Sequence, residues 1–371
     1  MCLRVKRKCL FFFYCSYSLQ SIFGGHGLKR GNNFKEIKKA TLSLTCILLL
    51  FLSAVLGGSA DETESPATPS THDEAIERMR AGFEAYDESV DVSDLSILPE
   101  ELGMLFSHAT KDTPYLFYVS GKLSYTYHSG GYVLSVKPKY TMERAEAERA
   151  VEYCKSEINR IATLVCCFES ELDRIIAAHD LLCRDFSYDL ELESDDIYSF
   201  LTQKTGTCQG YTWAYMALLR EMGIECRYVA SDTLAHIWLA VRIDGEWYHS
   251  DVTWDDPPRL EESGERSYAH ILFSDEKADK DGYKDRYCAE RIKCESKLYD
   301  CGEAISKHNF CLISGDVDHD GKVSIKDLLY FRQYMEKGIS PTHLCLICAD
   351  ADKNYMLDEG DAELIRNKII N

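Results

Sequence analysis

The chain has 371 residues, with 42 Lys or Arg against 61 Asp or Glu, a length suited to two or three compact units. Residues 1–60 hold nine basic side chains and one acidic one, Glu36, so the remainder carries 33 basic and 60 acidic side chains, a formal charge of −27. Such a surface repels phosphate backbones and argues against nucleic acid as a partner; calcium and cationic protein surfaces match it better.

Residues 41–60, TLSLTCILLLFLSAVLGGSA, follow the basic run Lys35-Glu-Ile-Lys-Lys39. A basic flank, an apolar core of this length and small residues ending in Gly-Gly-Ser-Ala make a secretory signal in preference to a membrane anchor. The expectation is cleavage near Ala60, no stable membrane span afterwards, and a secreted, extracellular protein. Residues 1–34 are odd upstream of a signal and read as an over-long start, with Leu28 a candidate non-standard initiation site. Residues 61–74 form a disordered linker by composition. Twelve cysteines remain after Ala60. Export permits disulfides, but no pairing can be deduced for the late group Cys288, Cys294, Cys301, Cys311, Cys345 and Cys348. Cys345-x-x-Cys348 has half of a zinc or redox spacing; without a second pair, a structural role is expected.

Residues 75–140 read as an N-terminal α+β extension. Residues 73–100 suggest a helix and a short acidic segment, whereas the aromatic, β-branched run 114–138, with Gly-Gly at 130–131, suggests a small antiparallel sheet. A second domain spans 141–305. Residues 142–186 carry two amphipathic helical runs, a third helix starts near Cys208, and strands 235–243 and 246–252 flank Asp244-Gly245, a strong hairpin signal. The charged segment 265–300 closes this domain, and no low-complexity linker precedes a module at 312–371.

The chemistry concentrates in GTCQGYTWAYMALLREMGIECRY, 206–228. Cys208 falls at the head of a helix, where unpaired N–H groups and the helix dipole favour thiolate. Its own N–H is placed to stabilise an oxyanion. His236 opens one strand of the hairpin. If Asp244-Gly245 is a two-residue turn, His236 faces Thr253 and Asp251 is its diagonal neighbour, within side-chain reach. Asp251 then orients the imidazole and stabilises its charged form. The ordered set Gly-Thr-Cys208-Gln-Gly-Tyr, His236-Ile-Trp and Trp-Tyr-His-Ser-Asp251-Val-Thr-Trp resembles the transglutaminase-like superfamily, a relative of papain-type thiol enzymes. The resemblance covers about residues 145–260; the upstream Pro114-Tyr-Leu-Phe-Tyr-Val119 segment looks like an extension of bacterial members. It implies an α+β fold, a thiol-bearing helix packed on an antiparallel sheet, with Cys208 as nucleophile, His236 as base and Asp251 as orienter. Cys166, Cys167, Cys183 and Cys226 read as buried small hydrophobes. His249 is a rival base, His179 reads as structural, and Gln203 is a minor candidate oxyanion donor. Trp213, Trp238, Trp247 and Trp254 read as core or cleft wall, some lining a slot for an extended peptide or glutamine side chain.

Two twelve-residue loops carry oxygen ligands at positions 1, 3, 5, 7, 9 and 12. The first presents Asp316, Asp318, Asp320, Lys322 through its carbonyl, Ser324 and Asp327, with Gly321 at the sharp turn. The second presents Asp350, Asp352, Asn354, Met356 through its carbonyl, Asp358 and Asp361, but Tyr355 stands where Gly is usual. A bulky side chain tolerates positive φ poorly, so weaker binding is expected there. This duplicated loop–helix pattern resembles the type I dockerin. It implies a small all-α module holding two Ca2+, docked to a cohesin domain of a scaffoldin, in a cell-surface cellulosome-type complex that degrades polysaccharide. The leading expectation is cysteine-dependent acyl transfer on protein or peptide substrates, with a peptidase or amidase favoured over a cross-linking transglutaminase. The alternative is a non-catalytic binding or adhesion module. Glycan hydrolysis has no paired-carboxylate motif behind it.

Overall fold

A computed structural model describes residues 6–11, 71–191, 195–256, 267–288, 292–300, 305, 312–338 and 344–370. The apolar signal core, Leu28, residues 61–70, Cys301 and Cys311 lie outside them. No described helix is long and apolar enough to cross a membrane.

Helix α1 (Thr71–Glu84) buries Ala75, Met79 and Phe83, one stripe at four-residue spacing. Its start corrects the expected linker, because residues 71–74 are helical. Helix α2 (Leu102–Lys111) was not expected; it buries Leu102, Leu105, Phe106 and Ala109 and packs on α1. The first sheet has the order β1-β3-β4-β2, from β1 (Lys6–Phe11), β2 (Val90–Asp91), β3 (Val119–Tyr127) and β4 (Val133–Tyr140). The β3–β4 turn closes at Gly131, φ +99°, as the Gly-Gly signal predicts.

The thiol-bearing domain begins with α3 (Arg144–Val165) and α4 (Glu171–Asp185). The chain breaks between them, and the Ser170 side chain accepts from Asp173 N–H to cap α4. Next come β5 (Ser187–Tyr188), α5 (Ile197–Gln203), β6 (Thr205–Gly206) and α6 (Cys208–Glu221). Every residue of α6 from Gly210 to Leu219 is buried, as befits a central helix that is apolar nearly all round. Helices α3, α4 and α5 pack on it, as do β7 (Cys226–Ser231) and β8 (His236–Ile243). The second sheet has the order β10-β7-β8-β9, completed by β9 (Glu246–Ser250) and β10 (Arg286–Tyr287). Ile243 faces Glu246 across a turn with φ of +52° at Asp244 and +85° at Gly245, the two-residue hairpin expected from sequence. Strand β9 is shorter than expected: pairing ends at Leu239–Ser250, Asp251 N–H donates to His270 O, and α7 (Val252–Asp255) follows. Helix α8 (Asp275–Asp281) lies beside β9.

Gly210 marks the tightest contact behind the thiol. A Cβ there would lie 2.9 Å from Phe200 Cδ2 and 3.0 Å from Phe200 Cβ. Phe200 is itself held, stacked on Phe186 at 4.4 Å and edge-on to Tyr211 at 4.7 Å. Gly210→Ala is therefore expected to destabilise by about 1–2 kcal/mol, overpacking outweighing the better helix propensity. An unchanged or raised Tm would contradict this packing.

Residues 312–370 contain two loop–helix units: the loop 316–327 runs into α9 (Ile325–Lys337), and the loop 350–361 runs into α11 (Glu359–Ile370), with the short α10 (Leu346–Ala349) between. This module is seated on the thiol-bearing domain. Val317, Phe331, Leu346, Ile347, Tyr355 and Ile365 belong to the same apolar core as α3, α4 and α6. Polar ties border it: Arg184 donates to Ile347 O at 3.2 Å, Lys353 pairs with Asp185 at 3.2 Å, and Lys204 Nζ donates to the Tyr355 hydroxyl at 2.7 Å. Cys154, Cys166, Cys167, Cys183, Cys208, Cys226, Cys294, Cys345 and Cys348 carry free thiols.

Candidate active site

Thr207 caps α6, its hydroxyl accepting from Gln209 N–H at 3.3 Å, and Cys208 is the first helical residue. Its N–H is thus among those with no intrahelical acceptor. The thiol is half-buried at this positive helix end, and the approach is fixed by parallel pairing of Tyr188 with Gly206. The Gln209 side chain donates to Asp195 O at 2.8 Å, holding the first turn against the preceding loop.

His236 begins β8 directly after Ala235, whose φ of +48° stores local strain beside the site. His236 Nε2 and Asp251 Oδ2 are 2.6 Å apart, which leaves Nδ1 for the thiol. The imidazole packs near-parallel to two indoles, Trp254 at 5.2 Å and 20° and Trp238 at 5.7 Å and 21°. Burial alone would lower the His236 pKa; the charge and hydrogen bond of Asp251, and the neighbouring Cys208, overcome it and raise the value to about 10. Asp251 is itself buried. Its Oδ2 also accepts from the Tyr283 hydroxyl at 2.8 Å, and Oδ1 from Trp254 N–H at 3.3 Å, capping α7. Burial and Asp251 push the Tyr283 phenol far up, so it stays a donor. Cys208, His236 and Asp251 are thereby brought together, although Asp251 reaches the histidine as a helix cap and not as a strand residue.

The other candidates are placed elsewhere. His249 Nδ1 accepts from Trp238 Nε1 at 3.1 Å, and its Nε2 faces Asp275 at 3.1 Å. With both ring nitrogens engaged it has no base to offer. His179, fully buried, lies between Asp180 at 3.1 Å and Asp255 at 3.3 Å, a structural network as expected. Gln203 ends α5 on the exposed side. Trp213 turns away and donates to Lys111 O at 2.9 Å, and Trp247 lies 6.0 Å from Arg227 and Arg242. Two neighbours of the site carry no motif in the sequence. Tyr283 arrives from the segment read only as charged closure. Tyr188, whose phenol burial raises to about 12 with Cys208, Asp189 and Asp251 adding to the shift, borders the thiol.

The two acidic loops repeat one hydrogen-bond pattern. Asp316 accepts from the N–H groups of Asp320 and Gly321, and Asp350 from those of Asn354 and Tyr355. Asp327 accepts from Val317, Asp318 and Ser324; Asp361 accepts from Ala351, Asp352 and Asp358. Carboxylate oxygens of Asp316, Asp318 and Asp320 converge within 4.8 Å, as do those of Asp350, Asp352 and Asp361. Asp316, Asp327, Asp350 and Asp361 are fully buried, and none makes an ion pair among the described residues. Such all-oxygen, net-negative sets fit a hard divalent cation. Ser324 spends its hydroxyl on capping α9, in keeping with position 9 acting through water. Tyr355 does adopt the left-handed turn of Gly321, with φ of +63° against +85°. Its ring is buried, with Lys204 Nζ 4.0 Å from the centroid. The residue that strains the loop also seats the module.

Residues 162–252 match the family model described as the transglutaminase-like superfamily, so the chain carries a transglutaminase-like domain of mixed helices and antiparallel sheet. No curated protein matches the chain significantly. Solved structures with a similar segment include one described as a TGase, 12% identical over 34% of this chain and 42% of that one, with a TM-score of 0.26. Another is described as "a Putative Cysteine Protease from Cytophaga hutchinsonii", 16% identical over 36% of this chain and 53% of that one, with a TM-score of 0.25. The chain thus spans about half or less of each.

Proposed function

We propose that the transglutaminase-like domain catalyses acyl transfer through a thioester at Cys208, on protein or peptide substrates, with water as the usual acceptor. The observation that carries this reading is one imidazole held by Asp251 on Nε2 and facing the thiol of the first residue of α6. The thiolate of Cys208 attacks the substrate carbonyl, and the oxyanion forms at the N-terminus of α6, where the Cys208 N–H is available. The His236 imidazolium gives its proton to the leaving amine, and the thioester remains. Neutral His236 then takes a proton from water, hydroxide attacks the thioester, and the thiolate–imidazolium pair returns. A primary amine in place of water gives an amide, the transglutaminase outcome. The test is a proteome-wide substrate profile of the wild type against Cys208→Ala, with and without excess primary amine. New peptide termini or deamidated side chains that require Cys208 support hydrolysis, and Cys208-dependent amides support transamidation. Identical profiles would leave a binding or adhesion module.

We further propose that residues 312–371 are a dockerin that holds two Ca2+, one in each acidic loop, and attaches a secreted protein to a scaffoldin cohesin in a polysaccharide-degrading complex. What supports this is the internal repeat of loop and helix, together with the face left uncovered by the seat. Ile325 and Leu329, one turn apart on α9, are 58% and 62% exposed, an apolar pair suited to a protein partner.

A further inference from the structure

His319 lies in the first acidic loop at a position that supplies no cation ligand, and the short helix α10 carries Cys348, with Cys345 as its N-cap. Their ligand atoms, one imidazole nitrogen and two sulfurs, all lie within 4.8 Å of one another. His319 Nε2 and Cys348 Sγ are 3.4 Å apart. A tetrahedral zinc with bonds of about 2.3 Å to sulfur and about 2.0–2.1 Å to nitrogen sets those atoms ~3.6 Å apart. Cys348 N–H donates to Cys345 Sγ at 3.3 Å, a bond that stabilises the thiolate form a metal requires. Both cysteines are buried, while His319 is half-buried, which leaves one side open to solvent. The knuckle is anchored from outside, because Arg184 of the thiol-bearing domain donates to Ile347 O within the Cys-x-x-Cys turn.

We propose that His319, Cys345 and Cys348 form a binding site for a thiophilic d10 cation, zinc, with water as the fourth ligand. Sequence spacing shows only half of it, since the third ligand comes from 26 residues upstream of Cys345. The donor set is soft, two thiolates and an imidazole, and so distinct from the carboxylate sets on either side. It joins the first repeat to the entrance of the second. Zinc binding releases the two thiol protons and draws the first loop onto the knuckle. A Cys345–Cys348 disulfide is the competing state of the same two sulfurs, but it has no use for the imidazole at 3.4 Å.

The test uses the full chain, reduced, stripped of metal and reloaded with calcium, then titrated with Co2+ as a spectroscopic stand-in. One equivalent should produce a thiolate-to-cobalt charge-transfer band, and one equivalent of Zn2+ should abolish it. The double variant Cys345→Ser, Cys348→Ser should lose the band. Serine also caps helices, so α10 is expected to form. His319→Asn keeps a residue tolerant of the +56° φ at this position and should weaken binding by more than the ~10–100-fold typical of outer-shell changes. It also decides the matter if the double variant does not fold. Absence of the band in the reduced wild type, or affinity unchanged in His319→Asn, would overturn the site.

Discussion

Asp251→Asn is expected to lower kcat/KM on any peptide that the wild type cleaves, by at most the ~10^4-fold found when the carboxylate of a Ser-His-Asp set becomes an amide. Asparagine can still cap α7, and the site stays packed by Trp238, Trp254 and Tyr283. What disappears is the charge 2.6 Å from His236 Nε2. Burial then acts on the imidazolium with only Cys208 opposing it. The alkaline limb of activity, set near the His236 value of about 10, should move down by ~1–3 pH units. Stability follows the same sign. A histidine raised in the folded state contributes fully below its unfolded value of ~6.5 and loses that contribution as pH rises through about 10. The Tm gap between wild type and Asp251→Asn should therefore be wide near neutrality and narrow toward pH 10. A constant gap and an unmoved limb would show that Asp251 does not hold the imidazolium.

Calcium removal is expected to melt the C-terminal module ahead of the thiol-bearing domain. Four fully buried carboxylates sit in the two loops. Burial, with Asp361 and Asp352 adding repulsion against the Tyr355 N–H, pushes Asp350 up to about 7. A cation relieves this, and at 100 times its Kd each filled loop adds ~2.7 kcal/mol. Calorimetry with calcium and with chelator should show one transition separating into two. Asp316→Ala and Asp350→Ala should each remove one equivalent of bound calcium. Tyr355→Gly offers a sharper comparison. It relieves the left-handed turn, so calcium should bind the second loop more tightly, while loss of the Lys204 contacts should loosen the seat. A chelator without effect on Tm would dismiss the cation altogether.

The sequence reveals the site's residues better than the route by which they meet. Cys208 and His236 were legible because a helix start and a strand start each leave a local mark. Asp251 follows from a strand register that the chain abandons one residue earlier, at Ser250. The bend into α7 nevertheless keeps the carboxylate 2.6 Å from His236 Nε2. Tyr283 was invisible, since its role depends on a segment that folds back from 32 residues away. Helix α2 carries its apolar period plainly at Leu102, Leu105, Phe106 and Ala109, but it is short and follows the acidic segment that ends near residue 100. Likewise, Tyr355 looked like a defect because its partner Lys204 is 151 residues distant. Local grammar reports backbone demands, whereas the compensations for breaking them come from long-range contacts.

The seat of the C-terminal module bears on how force and direction pass through the molecule. Lys204, which grips Tyr355, stands four residues before Cys208 and turns the chain into β6 with a φ of +59°. Lys353 and the Ile347 carbonyl are held at the end of α4 by Asp185 and Arg184. A pull applied to the module is therefore borne by side chains beneath the thiol loop. The arrangement is a bracket and not a leash: the thiol loop keeps a set bearing relative to the acidic loops of the module.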